Sequence, residues 1–139
     1  MERMDIDAAL NFVRTQHNAV LSTLKSDGTP QLSPVTAGVD DAGHVVISTR
    51  QTAYKVHNVR RDPRVWLCAF PDRFYGQWVQ IEGTADIAEL PEAMDGLVDY
   101  YRRISGEHPD WDDYRAAMER DKRVLLLITI TRAGPNVSG

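Results

Sequence analysis

Asn18-Ala-Val-Leu-Ser-Thr-Leu-Lys25, Ser26-Asp-Gly-Thr29 and Pro30-Gln-Leu-Ser-Pro-Val-Thr-Ala-Gly-Val39 read, in that order, as strand, tight turn and returning strand. Residues 18–25 have the apolar content of a strand, and Asp27-Gly28 is a hairpin signal because both residues tolerate positive φ. Pro30 and Pro34 lack the N–H that a ladder needs, which places part of the returning strand at an edge or beside a bulge. A second turn, Asp40-Asp-Ala-Gly43, leads to a β-branched third strand over residues 44–49. Connections this short leave no room for a crossover helix, so the strands are antiparallel.

Working outward, residues 53–61 predict a short helix that stops at Asp62, because Pro63 disfavours helical geometry at the residue before it. Residues 64–70 form a fourth strand, residues 71–76 a loop, and residues 77–89 a fifth strand with Gly83 as a bulge or close-approach point. Pro91 is expected to open a helix as its first residue, with Met94, Leu97, Val98, Tyr101 and Ile104 on one apolar face. Asp110-Trp-Asp-Asp113 has capping-box spacing and starts another helix, to about residue 121. Residues 123–131 are a last strand, apolar on both faces, and the tail 133–139 is expected to be loosely held. Before the hairpin, Ile6, Leu10 and Val13 give residues 5–15 a helical stripe. Six strands joined mostly by hairpins predict a mainly-β (α+β) fold, an antiparallel barrel or closed sheet with helices packed outside.

At 139 residues the chain fits one domain, 1–139, without repeat or linker. A domain of that size buries roughly 68–70% of its unfolded surface, so neither disulfide nor metal is required. The one cysteine, Cys68, sits in an apolar run and is expected as a buried thiol in a reducing compartment. The polar start and the lack of a long apolar run predict a soluble, cytoplasmic protein that does not enter a membrane. A net charge of −4 argues against nucleic acid as a partner. The four His and Cys68 have no zinc-ligand spacing, and the carboxylates of residues 107–113 are assigned to helix capping, so no metal site is expected.

One segment runs against the acidic balance. Residues 50–64 carry Arg50, Lys55, Arg60, Arg61 and Arg64 against Asp62, a local charge of +4, which leaves −8 for the rest. With Ser48, Thr49 and Thr52 ahead of it, this island reads either as an anion site, with hydroxyls, backbone N–H groups and Lys55 converging on a phosphate, or as a solvated basic helix face. Gln31 and Ser33, two apart on a strand, share one side, where they either meet a polar heterocycle or form an exposed polar face. Phe74, Tyr75 and Trp78 either wall a planar ligand or bury at a dimer interface.

Together, Asp27-Gly-Thr-Pro-Gln-Leu-Ser-Pro-Val35, Ile47-Ser-Thr49, Lys55-Val-His-Asn-Val-Arg-Arg-Asp-Pro-Arg64 and Glu82-Gly-Thr-Ala85 resemble the split β-barrel flavin and deazaflavin oxidoreductases, the pyridoxamine 5′-phosphate oxidase-like superfamily. The segment Ser105-Gly-Glu-His-Pro-Asp-Trp-Asp-Asp-Tyr114 is similar to one in its actinobacterial branch, which uses the deazaflavin coenzyme F420. The resemblance implies a six-stranded split barrel and a homodimer with active sites at the subunit interface. It also implies cofactor contacts from Lys55 to the phosphate, from Gln31, Ser33 and Pro34 along the ring, from Ser48 and Thr49 near the phosphate, and from Trp78 as an interface aromatic. Ala53 stands where members often carry Arg, and Arg50 and Arg60 are the candidates to replace that charge. The implied activity is hydride transfer from reduced F420 to an unsaturated or conjugated small molecule. The alternatives are FMN-dependent chemistry on the same fold, or binding of a flavin or tetrapyrrole without turnover. No residue is assigned as proton donor. Arg60, Arg61 and Arg64 are the expected contacts for the acidic tail that distinguishes F420 from FMN.

Overall fold

The returning strand of the first hairpin does not run unbroken to Val39. In a computed structural model, which describes residues 4–138, β1 (Asn18–Leu24) pairs with β2 (Pro30–Thr36) from Asn18↔Thr36 to Leu24↔Pro30. The chain then turns at Ala37 and resumes as β3 (Gly38–Val39), now paired with β4 (Val45–Arg50). The corner is clamped on both sides: the Ala37 N–H donates to the His17 carbonyl at 2.8 Å, and the Ala37 carbonyl accepts from His17 Nδ1 at 2.8 Å. The described residues therefore contain seven strands, not six, because one apolar run changes partners midway.

The remaining elements are α1 (Ile6–Thr15), α2 (Tyr54–Arg61), β5 (Arg64–Phe70), β6 (Gln77–Ala88), α3 (Met94–Ser105), α4 (Trp111–Arg120) and β7 (Arg123–Ser138). All strands join one sheet in the order β2-β1-β5-β6-β7-β4-β3, antiparallel throughout. The two edge strands, β2 and β3, are consecutive in the chain with only Ala37 between them. That joint forces the sheet to curl until its edges approach, giving a half-barrel rather than a flat sheet. Gly83 lies at a register shift between β6 and β7, where Thr131 is the extra residue. A Cβ on Gly83 would stand 2.4 Å from the Thr129 carbonyl oxygen, so this close approach requires glycine.

The concave face holds the main core: Leu21, Val45, Ile47, Val65, Leu67, Val79, Ile81, Leu126 and Ile128, plugged by Ala9, Leu10 and Val13 of α1. A second core lies outside the sheet, where α3 and α4 cover β4 and β7 through Val46, Leu97, Val98, Tyr114 and Leu125. The outer face of β2, β1, β5 and β6 carries no helix. Leu32 is 64% exposed there, and Cys68 is exposed beside the half-buried Trp66, Phe70 and Trp78.

Three further expectations are corrected. Cys68 is not a core thiol, because Val65, Leu67 and Ala69 take the inner positions of β5 and leave Cys68 on the outer ones. Pro91 does not open α3: Ala93 N–H bonds to the Glu89 carbonyl and Met94 N–H to that of Pro91, a turn that delays the helix to Met94. Residues 133–138 are not a loose tail but the end of β7, with Ser138 opposite Gln77. The long strand β6 needs a partner for its first residues, and the register shift between Val79 and Ile81 absorbs Gly134-Pro135 so that pairing resumes. Gly139 lies outside the described residues.

Candidate functional site

A cavity of about 740 Å³ opens at the seam between the helix-covered and bare halves of the outer sheet surface. Pro34, Thr36 and Asn18 come from the bare side, Ser48 and Thr49 from β4, Lys55 from α2, Arg123 from β7, and Tyr100, Tyr101, Tyr114 and Met118 from the two covering helices. Tyr100 spans the seam, its hydroxyl donating to the Thr36 carbonyl at 2.7 Å. The cavity thus has a cationic, hydroxyl-bearing end and an aromatic end.

Lys55 sits in the first turn of α2, and a chain of polar groups fixes that helix. The Arg61 guanidinium donates to the Leu24 carbonyl at 2.7 Å and to Asn58 Oδ1 at 3.0 Å. Asn58 Nδ2 in turn donates to Thr23 Oγ1 at 3.0 Å, and Thr23 Oγ1 donates to Gln31 Oε1 at 3.4 Å. Thr23 and Asn58 are both buried, so the chain is costly to break. Val56 and Val59 anchor the same helix in apolar surroundings. Asp62 folds back on Arg64, whose guanidinium and backbone N–H hold its carboxyl down at about 2. Most of the Lys55–Arg64 string therefore builds and places the helix, and Lys55 is its residue that reaches the cavity.

Burial pushes the Lys55 ammonium below its ordinary value, and the charge of Arg123 pushes the same way. Burial also raises the hydroxyls of Tyr100 and Tyr114, the latter to about 12, with its hydroxyl donating to the Leu97 carbonyl at 2.7 Å. All three groups line the cavity and are partly withdrawn from solvent. Tyr101, His108, Trp111 and Tyr114 pack edge-on or tilted against one another with ring centroids 5.0–5.8 Å apart, which pins α4 to α3 and stiffens the aromatic wall. The carboxylates after α3 are engaged elsewhere: Asp110 caps α4 at the Asp113 N–H, and Glu107 takes Arg102 and the Trp111 indole N–H. No group of three His, Cys, Asp or Glu among the described residues is placed to hold a metal ion. Partial desolvation by its neighbours on the outer face raises the Cys68 thiol, the opposite of what an activated nucleophile needs.

Of the residues singled out in the sequence, the fold brings Pro34, Ser48, Thr49 and Lys55 together around the cavity. Gln31 and Ser33 lie on the half-buried face of β2, opposite Pro34 and Thr36. Gln31 is engaged with Thr23, and the buried Ser33 hydroxyl has no hydrogen-bond partner in the protein. Arg60 is tied to Glu89, and Trp78 lies half-buried on β6, near the exposed pair Phe74 and Tyr75. Sequence reading missed Arg123, Tyr100, Tyr114 and Met118. Arg123 has no local signal, because its place depends on β7 pairing with β4, which sets Arg50↔Arg123 opposite one another.

This curled antiparallel half-barrel, with a basic and hydroxyl-lined cavity beside an aromatic wall, has the form of a split barrel. The chain belongs to the pyridoxamine 5′-phosphate oxidase family, whose model matches residues 6–135. Among solved structures, a conserved hypothetical protein from Mycobacterium tuberculosis is 29% identical, with 97% of this chain and 85% of that one covered and a TM-score of 0.77. An F420 reductase is 20% identical over 89% of this chain and 94% of its own, with a TM-score of 0.68. A heme binding protein from Mycobacterium smegmatis is 19% identical over 100% of this chain and 59% of its own, with a TM-score of 0.65. No helix among the described residues is long and apolar enough to cross a membrane.

Proposed function

We propose that this chain is an oxidoreductase that uses reduced coenzyme F420 to pass hydride to an unsaturated or conjugated small molecule. The observation that carries the reading is the cavity itself: Lys55, Ser48 and Thr49 stand together, no ion-pairing carboxylate stands beside Lys55 among the described residues, and an aromatic wall faces them. A half-buried cation with hydroxyl neighbours fits a phosphoryl group, and aromatic side chains fit a planar ring. When bound, the cofactor supplies the hydride chemistry. The protein's own part is to hold the phosphoryl group with Lys55, Ser48 and Thr49, and to exclude water with Tyr100, Tyr101, Tyr114 and Met118. An F420 reductase shares this fold, which makes the deazaflavin a cofactor the fold can serve. Arg60, Arg61 and Arg64 give the choice of F420 over FMN less support than the sequence promised, since each already has a partner within the chain.

We further propose that the working unit is a homodimer whose second copy covers the bare outer face and completes the cavity from the Pro34 side. The support is the apolar surface of that face, with Leu32, Phe74 and Tyr75 each more than 60% exposed.

Absorbance titrations with F420 and FMN, followed by anaerobic oxidation of reduced F420 with candidate acceptors, test the cofactor. Tighter binding of F420 and acceptor-dependent oxidation are expected. A preference for FMN moves the reading to the flavin branch, and binding of heme with neither cofactor moves it to a non-catalytic binder. Lys55→Ala is expected to weaken cofactor binding about tenfold to a hundredfold without unfolding the chain, as charge-assisted contacts of roughly 1.5–3 kcal/mol require.

A further inference from the structure

We infer that Arg123, at the start of β7, is a second anion-binding residue of the cavity and forms with Lys55 a two-cation receptor for a single phosphoryl group. This deepens the cofactor reading and rests on it for the identity of the ligand, not for its charge.

Arg123 lines the cavity together with Lys55, Ser48 and Thr49. Its Nε is shielded from solvent and has no hydrogen-bond partner in the protein. A guanidinium N–H left unpaired and shielded from solvent carries a desolvation cost, so this side chain is not settled by contacts within the protein. No carboxylate forms an ion pair with Arg123, Lys55 or Arg50 among the described residues. One carboxylate, Glu89, shares a small niche of about 90 Å³ with Arg123 and Lys122. Glu89 is bonded to Arg60 and forms no ion pair with Arg123.

The surrounding positions sharpen the case. Arg50 stands directly opposite Arg123 in the β4–β7 register, and like charges in that relation destabilise a strand pair. The charge of Arg123 also bears on Lys55, Tyr100 and Tyr114. The fold thus gathers positive charge without an ion-pairing carboxylate at one end of the cavity, while on the neighbouring basic helix Arg60 is paired with Glu89 and Arg61 is hydrogen-bonded to the Leu24 carbonyl and Asn58. The two cations divide the work. The guanidinium presents a planar fork that fixes two oxygens, and the ammonium adds a compact charge. Phosphate monoesters and diesters both offer such oxygens, so FMN and F420 are separate arms of the test.

Thermal melts with inorganic phosphate against chloride at equal ionic strength provide a readout independent of activity. Calorimetric titrations with FMN and with F420 accompany them, on wild type, Arg123→Met, Arg123→Lys and Lys55→Ala. Phosphate is expected to raise the wild-type melting temperature. That rise is expected to vanish in Arg123→Met and Lys55→Ala and to return in part in Arg123→Lys. The Kd of whichever cofactor binds is expected to increase about tenfold to a hundredfold in Arg123→Met. If Arg123→Met fails to fold, Arg123→Lys must still bind severalfold more weakly at an unchanged melting temperature. A folded Arg123 variant that keeps both the phosphate shift and the cofactor affinity overturns the inference and leaves the cofactor reading standing. An Arg123-dependent phosphate shift with no binding of FMN or F420 upholds the inference and overturns the cofactor reading. No phosphate shift and no cofactor binding in the wild type overturn both.

Discussion

The outer surface of this curled sheet is built in two ways. Over β4 and β7, α3 and α4 bury Val46 and Leu125 beneath Leu97, Val98 and Tyr114. Over β2, β1, β5 and β6, apolar positions such as Leu32, Trp66 and Phe70 have no helix above them, and Phe70 meets the loop residue Phe74 edge-on. The cavity lies where the two meet, with Tyr100 bridging to Thr36. The contrast teaches that the chain supplies one wall of its cavity itself and leaves the other side open. A bare face of this kind is matched to an occupant, and a second copy is the one we propose.

The largest test of the contrast is Leu97→Ala. Leu97 is fully buried under the covered half, and its truncation is expected to destabilise the fold by about 2–5 kcal/mol in a denaturant melt. A loss below about 1 kcal/mol would show that the covering helices contribute little. Next is Gly83→Ala, at the strand junction both halves share. The clash with the Thr129 carbonyl is expected to cost about 1–3 kcal/mol, and an unchanged melt would place the backbone elsewhere.

Tyr114→Phe removes a buried hydrogen bond to Leu97 and is expected to cost roughly 0.5–1.5 kcal/mol. It also carries a pH signature. The Tyr114 hydroxyl rises from 10.0 to about 12 on folding, so the folded state holds its proton more tightly. The stability from this linkage is complete below pH 10 and is lost as the pH climbs towards 12. Chemical melts across that range should show a shallower alkaline loss in Tyr114→Phe than in wild type, and parallel curves would refute the role. The smallest effect belongs to the bare half. Leu32→Ala is expected to change the stability of an isolated protomer by less than about 0.5 kcal/mol, yet to weaken self-association measured by sedimentation. A wild-type chain that sediments as a folded monomer at micromolar concentration would remove the second copy from the explanation.

Much of this was legible in the residues. Asp27-Gly28 set the hairpin, Gly83 marked the bulge, Pro63 ended α2, and Asp110 capped α4. What stayed hidden depended on partners distant in sequence. Nothing local in residues 30–39 says that the strand changes neighbours at Ala37, and nothing in Arg123 says that it will stand opposite Arg50. Tyr101 reads as part of a helix's apolar face because burial and cavity lining call for the same residue types, and Tyr100 and Tyr114 carry no local signal of the cavity. The basic island shows the converse: a charge count sees five cations, but only the fold shows that Arg60, Arg61 and Arg64 have partners at home.

The position of β7 has a consequence for how the protein is made. It follows every other strand in the chain, yet it sits inside the sheet, between β6 and β4. Until it emerges from the ribosome, both neighbours present raw ladder edges, and the half-barrel stands split along its middle. The nascent chain therefore has to wait, partly collapsed and prone to misjoining, for a strand whose partners were made tens of residues earlier. A ribosome-stalled chain ending at residue 122 should be cut readily by protease, and one extended past β7 by a tether long enough to clear the exit tunnel should resist; equal resistance would show that the sheet forms without its central strand.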